Sequence, residues 1–314
     1  MAKQIAIVLN TGCHVETALS IYFTLTQMDG LEPVIVPLCG NSRSLFSFLT
    51  KCRVNYVSPE VSESDFDKAI IVTVYPPGTN AESFPKENHP LVRGFTKRRL
   101  LISHRCTHPK ESYLGEDVVC LSPLSRSCGV DYIYQCENPA LETPSPPFDD
   151  GHMVFLVQGN MKSRDIALIK ESLSFNKSKR IKVLFAGNYA KTLSIVDERT
   201  EKHENLSHED FFSVCSRAHF IIPLIGPSSS YVKQRFSSSY TISFASLRPL
   251  LTHKVFYELY PVPSICYESN QEFHRKLNDC LSMDQIEYSS MVAEYRIKKE
   301  TLRWHNINIL TKYL

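Results

Sequence analysis

The sequence states one phrase twice: a short unbroken apolar run, a turn holding a glycine, then a helix. The first copy runs through residues 5–9, the turn Asn10-Thr11-Gly12-Cys13-His14, and residues 15–28, where Val15, Leu19, Tyr22 and Phe23 recur at helical spacing. The second runs through residues 153–157, the turn Gln158-Gly159-Asn160, and residues 162–174. A five-residue run without polar alternation suits a parallel strand covered on both faces, not an antiparallel strand with one wet face. Further strands are predicted at 33–38, 54–57, 69–75, 99–103, 118–121 and 132–135, and, after the second copy, at 181–186, 220–225, 250–252 and 264–267. Helices are predicted at 42–52 (with Leu45, Phe46 and Leu49 inward), 208–217, 238–247 and 255–260, and throughout 270–314. Strands alternating with helices in this way specify an α/β fold with mostly parallel sheets.

Between the two copies lies NPALETPSPPFDD (138–150), with four prolines, three acidic residues and little apolar periodicity. Proline fixes its own φ, so this reads as a semi-rigid linker. The expected organisation is an N-terminal Rossmann-like domain over 1–140, a Pro-rich linker over 141–150, and a C-terminal Rossmann-like domain over 151–314 ending in helices. Ligands of open α/β sheets bind beyond the carboxyl ends of the strands, so a cleft between the two sheets is the expected site.

Composition excludes several alternatives. Lys+Arg number 35 against 33 Asp+Glu, a net charge of +2, which supplies no cationic field for nucleic acid. With 43% hydrophobic residues the chain has enough apolar material to fold. The opening residues carry one lysine and an apolar run of only five, too short for an export signal, and no run approaches membrane-spanning length. The ten cysteines stand singly, without a CxxC, as reduced thiols in a cytoplasmic protein would. Neither glycine turn has the three glycines of GxGxxG, and no Walker A or GxSxG motif occurs, which argues against a dehydrogenase, a P-loop NTPase and an α/β-hydrolase.

The strongest local signal is PLIGPSSSYVKQRFSSSYTISFASLRPLLTH (223–253). A buried strand leads into a loop with Gly226, Tyr231, Lys233 and Arg235, and a helix then opens on Ser237-Ser238-Ser239-Tyr240. Free N–H groups at a helix start favour an anion, and the flanking hydroxyls and cations add donors. The plainer reading is a serine cap on a solvated loop. This stretch, followed by Arg248-Pro249-Leu250-Leu251, resembles the C-terminal domain of GT-B glycosyltransferases, and the two-domain organisation resembles that fold over the whole chain. Gly12-Cys13-His14-Val15 with Ala18-Leu19 is similar to the G-H-V turn after the first strand of inverting members, with Cys13 an insertion relative to that pattern. The chain also resembles transferases of this kind encoded by large DNA viruses.

The resemblance implies a diphosphate of a UDP- or GDP-sugar held by Tyr231, Lys233, Ser237, Ser238, Ser239 and Tyr240, a ribose contact from Glu258, and His14 as catalytic base. An imidazole suits proton abstraction near neutrality, although His14 is equally placed to be a helix-start residue without chemistry. The turns Gly159-Asn160 and Gly187-Asn188, both after predicted strands, are further candidates for the nucleotide, with 196–205 beside them. Lys162 and Arg164 read as a solvated helix face. His104 and Arg105 are candidates for the acceptor side, and alternation would also put His104, Cys106 and His108 on one face, a weak zinc pattern without a fourth ligand. Trp304 with Leu302, Ile307, Ile309 and Leu310 reads as core packing, Trp304 also as a brace on the first domain.

The expected function is therefore metal-independent transfer of a sugar from a nucleotide-diphosphate donor to a carbohydrate hydroxyl, with no cofactor, no nucleic-acid partner and no membrane span. The alternatives are a non-catalytic binding protein for a small anion or sugar, and a nucleotide-sugar epimerase of the same shape.

Overall fold

The computed structural model describes residues 2–9, 14–38, 43–73, 99–104, 107, 117–138, 142 and 151–314. Contacts divide the chain into two compact units. The first is Met1–Pro139 with Lys233–Phe236 and Thr301–Leu314; the second is Ala140–Val232 with Ser237–Glu300. The last helix thus supplies residues to both.

The first unit is built on β1 (Lys3–Leu9), α1 (Val15–Leu25), β2 (Leu31–Pro37), α2 (Arg43–Lys51), β3 (Lys68–Thr73), β4 (Arg99–Ser103), β5 (Asp117–Cys120) and β6 (Asp131–Tyr132). Its strands are all parallel, in the order β2-β1-β3-β4-β5-β6. Ile5 to Leu9 are wholly buried, as an apolar run between two helical layers requires. On α2 the inward residues are Leu45, Phe48 and Leu49, with Phe46 half-buried.

Two predicted strands shrink here. Residues 54–57 make a single bridge, Ile35 to Tyr56, beyond the edge of β2. Residues 132–135 leave the sheet after Tyr132 because a side chain takes over: Asn306 Oδ1 accepts from the Tyr134 N–H at 2.8 Å and Asn306 Nδ2 donates to the Tyr134 carbonyl at 2.5 Å. One buried amide therefore meets both backbone groups that a seventh strand would have met. The following residues are tied to α1, Thr17 Oγ1 donating to Gln135 Oε1 at 2.9 Å and the Glu137 N–H to Ser20 Oγ at 3.3 Å.

The second unit contains β7 (Met153–Gln158), α3 (Ile166–Phe175), β8 (Ile181–Ala186), β9 (Thr200–His203), α4 (His208–Ser216), β10 (Phe220–Ile221), α5 (Ser230–Lys233, its last residue counted with the first unit), α6 (Ser238–Ser246), β11 (Leu250–His253), α7 (Lys254–Leu259), β12 (Ser264–Tyr267), α8 (Asn270–Ser282) and most of α9 (Gln285–Thr311). Its sheet is also parallel, in the order β12-β11-β10-β7-β8-β9. The predicted strand at 220–225 is confined to Phe220 and Ile221, because Pro223 has no N–H and Leu224 turns left-handed (φ 49). The predicted helix at 162–174 opens as a 3-10 turn, Met161–Ser163, and becomes α-helical at Ile166. The C-terminal helix is broken at Met283, and α9 restarts with Asp284 Oδ1 accepting from the Ile286 and Glu287 N–H groups at 2.8 Å each.

Arg248 of the Arg-Pro-Leu-Leu stretch is 1% exposed and closes two helices at once. Its guanidinium donates to the carbonyls of Ser246 at 2.9 Å and Ser216 at 3.2 Å, the last residues of α6 and α4. Cations at helix carboxyl ends satisfy orphan carbonyls and oppose the dipole. Trp304, expected in the core, is 64% exposed, whereas Leu302, Ile309 and Leu310 are buried.

Strand β9 escaped the sequence reading because TEKH has no apolar alternation: it is a polar edge strand held by charge. Glu201 takes Lys182 at 2.5 Å, Arg217 at 2.9 Å and His203 at 3.1 Å. Partial burial pushes its carboxyl up, but the paired Lys182 and Arg217 outweigh this and hold it at about 2, below its ordinary 4.5. A carboxyl lowered on folding adds stability above the unfolded value and loses it as pH falls toward the folded one. Glu201→Gln is expected to lower the urea midpoint near neutrality and to flatten its fall between about pH 5 and about pH 2; an unchanged pH profile would remove the network from the acid response.

Candidate functional site

The strand order of the second sheet reverses between β7 and β10, and ligands of open α/β sheets bind outside the carboxyl ends at such a point. The turns after β7 and β8 are pressed together there. Gly187 has φ +138, and a side chain on it would place its first carbon 2.2 Å from the Gly159 carbonyl oxygen. Gly159 has φ +105, and its own missing carbon would stand 2.7 Å from Arg164 Nη2. Only glycine permits both conformations and both approaches. The turns are stitched by the Gly159 N–H to Ala186 O (3.0 Å) and the Met161 N–H to Asn188 O (3.1 Å).

Arg164 is not on a solvated face, as the sequence suggested, but 7% exposed. Its Nε donates to the Gln158 carbonyl at 3.1 Å, its Nη2 to Ser239 Oγ at 3.4 Å, and its guanidinium lies 4.9 Å from the centre of the Tyr231 ring. These contacts orient the cation. Gln158, 2% exposed, donates from Nε2 to Ser239 Oγ at 2.8 Å and to Ser238 Oγ at 3.3 Å. Ser237 caps α6, its Oγ accepting from the Ser239 N–H at 3.4 Å. A buried cation, a helix start and glycine turns whose backbone admits close approach are groups that favour an anion beside them.

Among the sequence candidates, Gly159, Ser237, Ser238, Ser239 and Tyr231 are brought together by these contacts, with Asn160 and Gly187 and Asn188 on the adjoining turns. Ser239 is wholly buried, so it supports Arg164 from beneath, while Ser238 is part-exposed. Lys233 is exposed and falls in the first unit, outside this cluster. Tyr240 is wholly buried, its ring 4.4 Å from that of Tyr260 and 5.0 Å from that of Phe244, in the core. Glu258 is exposed on α7. Lys162, also exposed, places its ammonium 3.8 Å from the centre of the Tyr189 ring. Gln158 has no role in the sequence analysis beyond its turn, and Arg164 reads there as surface; the signal for Gln158 is a polar residue ending an apolar strand, and for Arg164 a cation six residues later.

In the first unit, His14 and His104 meet at the carboxyl edge of the sheet, their ring centres 4.7 Å apart. His14 occupies the position before α1 but makes no capping bond with its side chain, and its Nδ1 lies 3.8 Å from Glu16 Oε1. Its backbone φ of −130 is not yet helical, which lets residues two apart face each other. The Phe236 N–H donates to the His104 carbonyl at 3.2 Å, with the rings 5.8 Å apart. Burial first, and then the nearby charges of His14 and Arg235, push His104 down to about 3, so its ring is neutral at ordinary pH. Gly12, Cys13, Arg105, Cys106, His108 and nearly all of the expected linker lie outside the described residues. Among the described residues no helix is long and apolar enough to cross a membrane.

No protein-family model matches the chain, and no curated protein matches it by sequence. Solved structures do match over nearly its whole length. Anabaena Alr3699/HepE in complex with UDP and glucose aligns with a TM-score of 0.65 at 10% identity, covering 99% of this chain and 100% of its own. T4 phage BGT in complex with UDP and Mn2+ gives 0.55 at 11% identity, covering 99% of each. The lipopolysaccharide outer core galactosyltransferase WaaB, in its apo form, gives 0.52 at 14% identity, covering 98% and 99%. The chain has the GT-B fold, with two parallel six-stranded sheets and a helical C-terminus.

The glycine contacts have different costs. Gly187→Ala drives a carbon into backbone and is expected to lower unfolding stability by about 2–4 kcal/mol. Gly159→Ala meets only the end of a side chain and is expected to cost about 1–2 kcal/mol, displacing the Arg164 guanidinium. Urea denaturation of both variants checks the order; equal losses would mean that the Gly187–Gly159 approach is not tight in solution.

Proposed function

We propose that the protein transfers a sugar from a nucleotide-diphosphate donor to an acceptor hydroxyl, and that it does so without a metal ion. The observation that carries this reading is the buried Arg164 at the strand-order reversal of the second sheet, held by Gln158 and Ser239 beside glycine turns and the start of α6. The fold supports the nucleotide-donor part of this reading, since solved structures of similar fold hold UDP.

In this reading, the bond between the anomeric carbon and the terminal phosphate oxygen breaks as the acceptor oxygen attacks, and negative charge grows on the departing diphosphate. Arg164, the N–H groups opening α6 and the Ser238 hydroxyl are donors fixed before reaction, so they stabilise that charge without reorganising. One cation placed in a poorly hydrated site offsets charge that a divalent ion would otherwise offset. Gly159, Asn160, Gly187 and Asn188 bring backbone close to the nucleotide. In the first unit, His14 takes the proton of the acceptor hydroxyl if the anomeric configuration is inverted, and His104, a neutral ring against it, keeps it in place and lines the acceptor side with Arg105. The expected acceptor is a carbohydrate hydroxyl, and the expected donors are UDP- and GDP-sugars.

Thermal melting against a panel of nucleotide sugars, with and without EDTA, tests the donor class. At about 100 times Kd a ligand adds roughly 2.7 kcal/mol of stability, a clear rise in Tm. A rise with one nucleotide diphosphate that EDTA leaves intact is expected; loss of the rise in EDTA would replace the metal-free reading. Arg164→Ala is expected to weaken UDP or GDP at least about tenfold. His14→Ala is expected to lower kcat about a hundredfold or more with nucleotide binding unchanged; equal loss of both would withdraw His14 as base. Product analysis with and without acceptor separates transfer from epimerisation of the nucleotide sugar.

A further inference from the structure

A serine oxygen has two lone pairs and one proton, so the donors around it decide where the proton goes. Ser239 Oγ receives Gln158 Nε2 at 2.8 Å and Arg164 Nη2 at 3.4 Å, and arginine has no acceptor to offer in return. Both lone pairs are engaged. Ser238 Oγ receives the same amide nitrogen at 3.3 Å. Gln158 itself is 2% exposed and stands on the last position of β7, inside the parallel ladder with β8, so its side chain is set by a rigid element.

We propose that Gln158 is the positioning residue that fixes the donor polarity of this cradle. By donating to both hydroxyls it prevents either from donating inward. Ser239 is kept as an acceptor that holds Arg164, and the part-exposed Ser238 must direct its proton away from the strand, toward a ligand. The cradle then offers N–H and O–H donors and a cation, which selects for an anion. A glutamate of the same size would do the reverse, drawing both hydroxyl protons inward and taking the charge of Arg164. This inference rests on the diphosphate reading above and names what makes the site specific for it.

The test uses the full chain, with UDP and GDP as probes and uridine and guanosine as the same probes without phosphates, by calorimetry. In Gln158→Met the diphosphate is expected to bind about tenfold more weakly while the nucleoside is unchanged. In the Gln158→Met background, Ser238→Ala is expected to add less than about twofold, although alone it weakens the diphosphate several-fold. Gln158→Glu, which keeps size and polarity should the methionine variant fold poorly, is expected to lose at least about a hundredfold. Equal weakening of diphosphate and nucleoside, or effects of Gln158 and Ser238 that simply multiply, would overturn the polarity role and leave the diphosphate site standing. Failure of the unaltered protein to bind either diphosphate would overturn the site and this inference together.

Discussion

The contact between Gly187 and the Gly159 carbonyl governs the second unit. Where a side chain on Gly187 would stand 2.2 Å from that oxygen, two strand-ending turns lie flush, and neither can carry a side chain into the space above them. The polypeptide backbone itself becomes the floor of the site. Because the turn at Gly159 is so tight, Arg164 folds back beneath it and reaches the carbonyl of Gln158 and the hydroxyl of Ser239. Burying a guanidinium is costly unless its donors are met, and here backbone, hydroxyl and aromatic face orient it. The grouping of these donors follows from packing the two turns, not from a string of cations.

The first unit uses a different device. Its sheet ends early because α9 offers side chains where another strand would offer backbone. Asn306 meets both polar groups of Tyr134, His305 Nε2 lies 2.9 Å from the Tyr132 carbonyl, and Arg303 Nε donates to Glu137 Oε1 at 2.7 Å. Four residues earlier on α9, in the second unit, the buried Lys299 pairs with Glu142. Each of these ion pairs lies within its own unit. At the carboxyl end of the same sheet, beyond the interior strands β1 and β4, the His14 and His104 rings meet, and one imidazole is held neutral.

How legible this was varies with the physics of each element. β4, β8 and β12 were read to the residue, because unbroken apolar runs between polar turns have one good use in an α/β fold. The serine-opened helix α6 and the glycine turns were also visible, since cap and turn chemistry is local. β9 was invisible because charge pairs, not apolar burial, hold it. Residues 133–135 looked like strand and are not, because the group that replaces the ladder comes from more than 170 positions away. Trp304 was placed in the core on its character and stands exposed, since a helix stripe can lie on its solvent side.

The sequence by itself determined the class of fold, the two repeated strand–turn–helix beginnings and the helix start rich in serine, all of which follow from short-range periodicity and turn chemistry. Tertiary structure decided which of the polar residues work together. It took Arg164 off the surface and put it under a turn, made Ser239 a support and Ser238 the presented hydroxyl, turned Gln158 from a strand's last residue into the hub of the cluster, and set Tyr240 in the core. The physical reason is that a side chain's exposure and hydrogen-bond direction are fixed by neighbours roughly 75–80 positions away, brought close by parallel strands whose pairing no local pattern encodes.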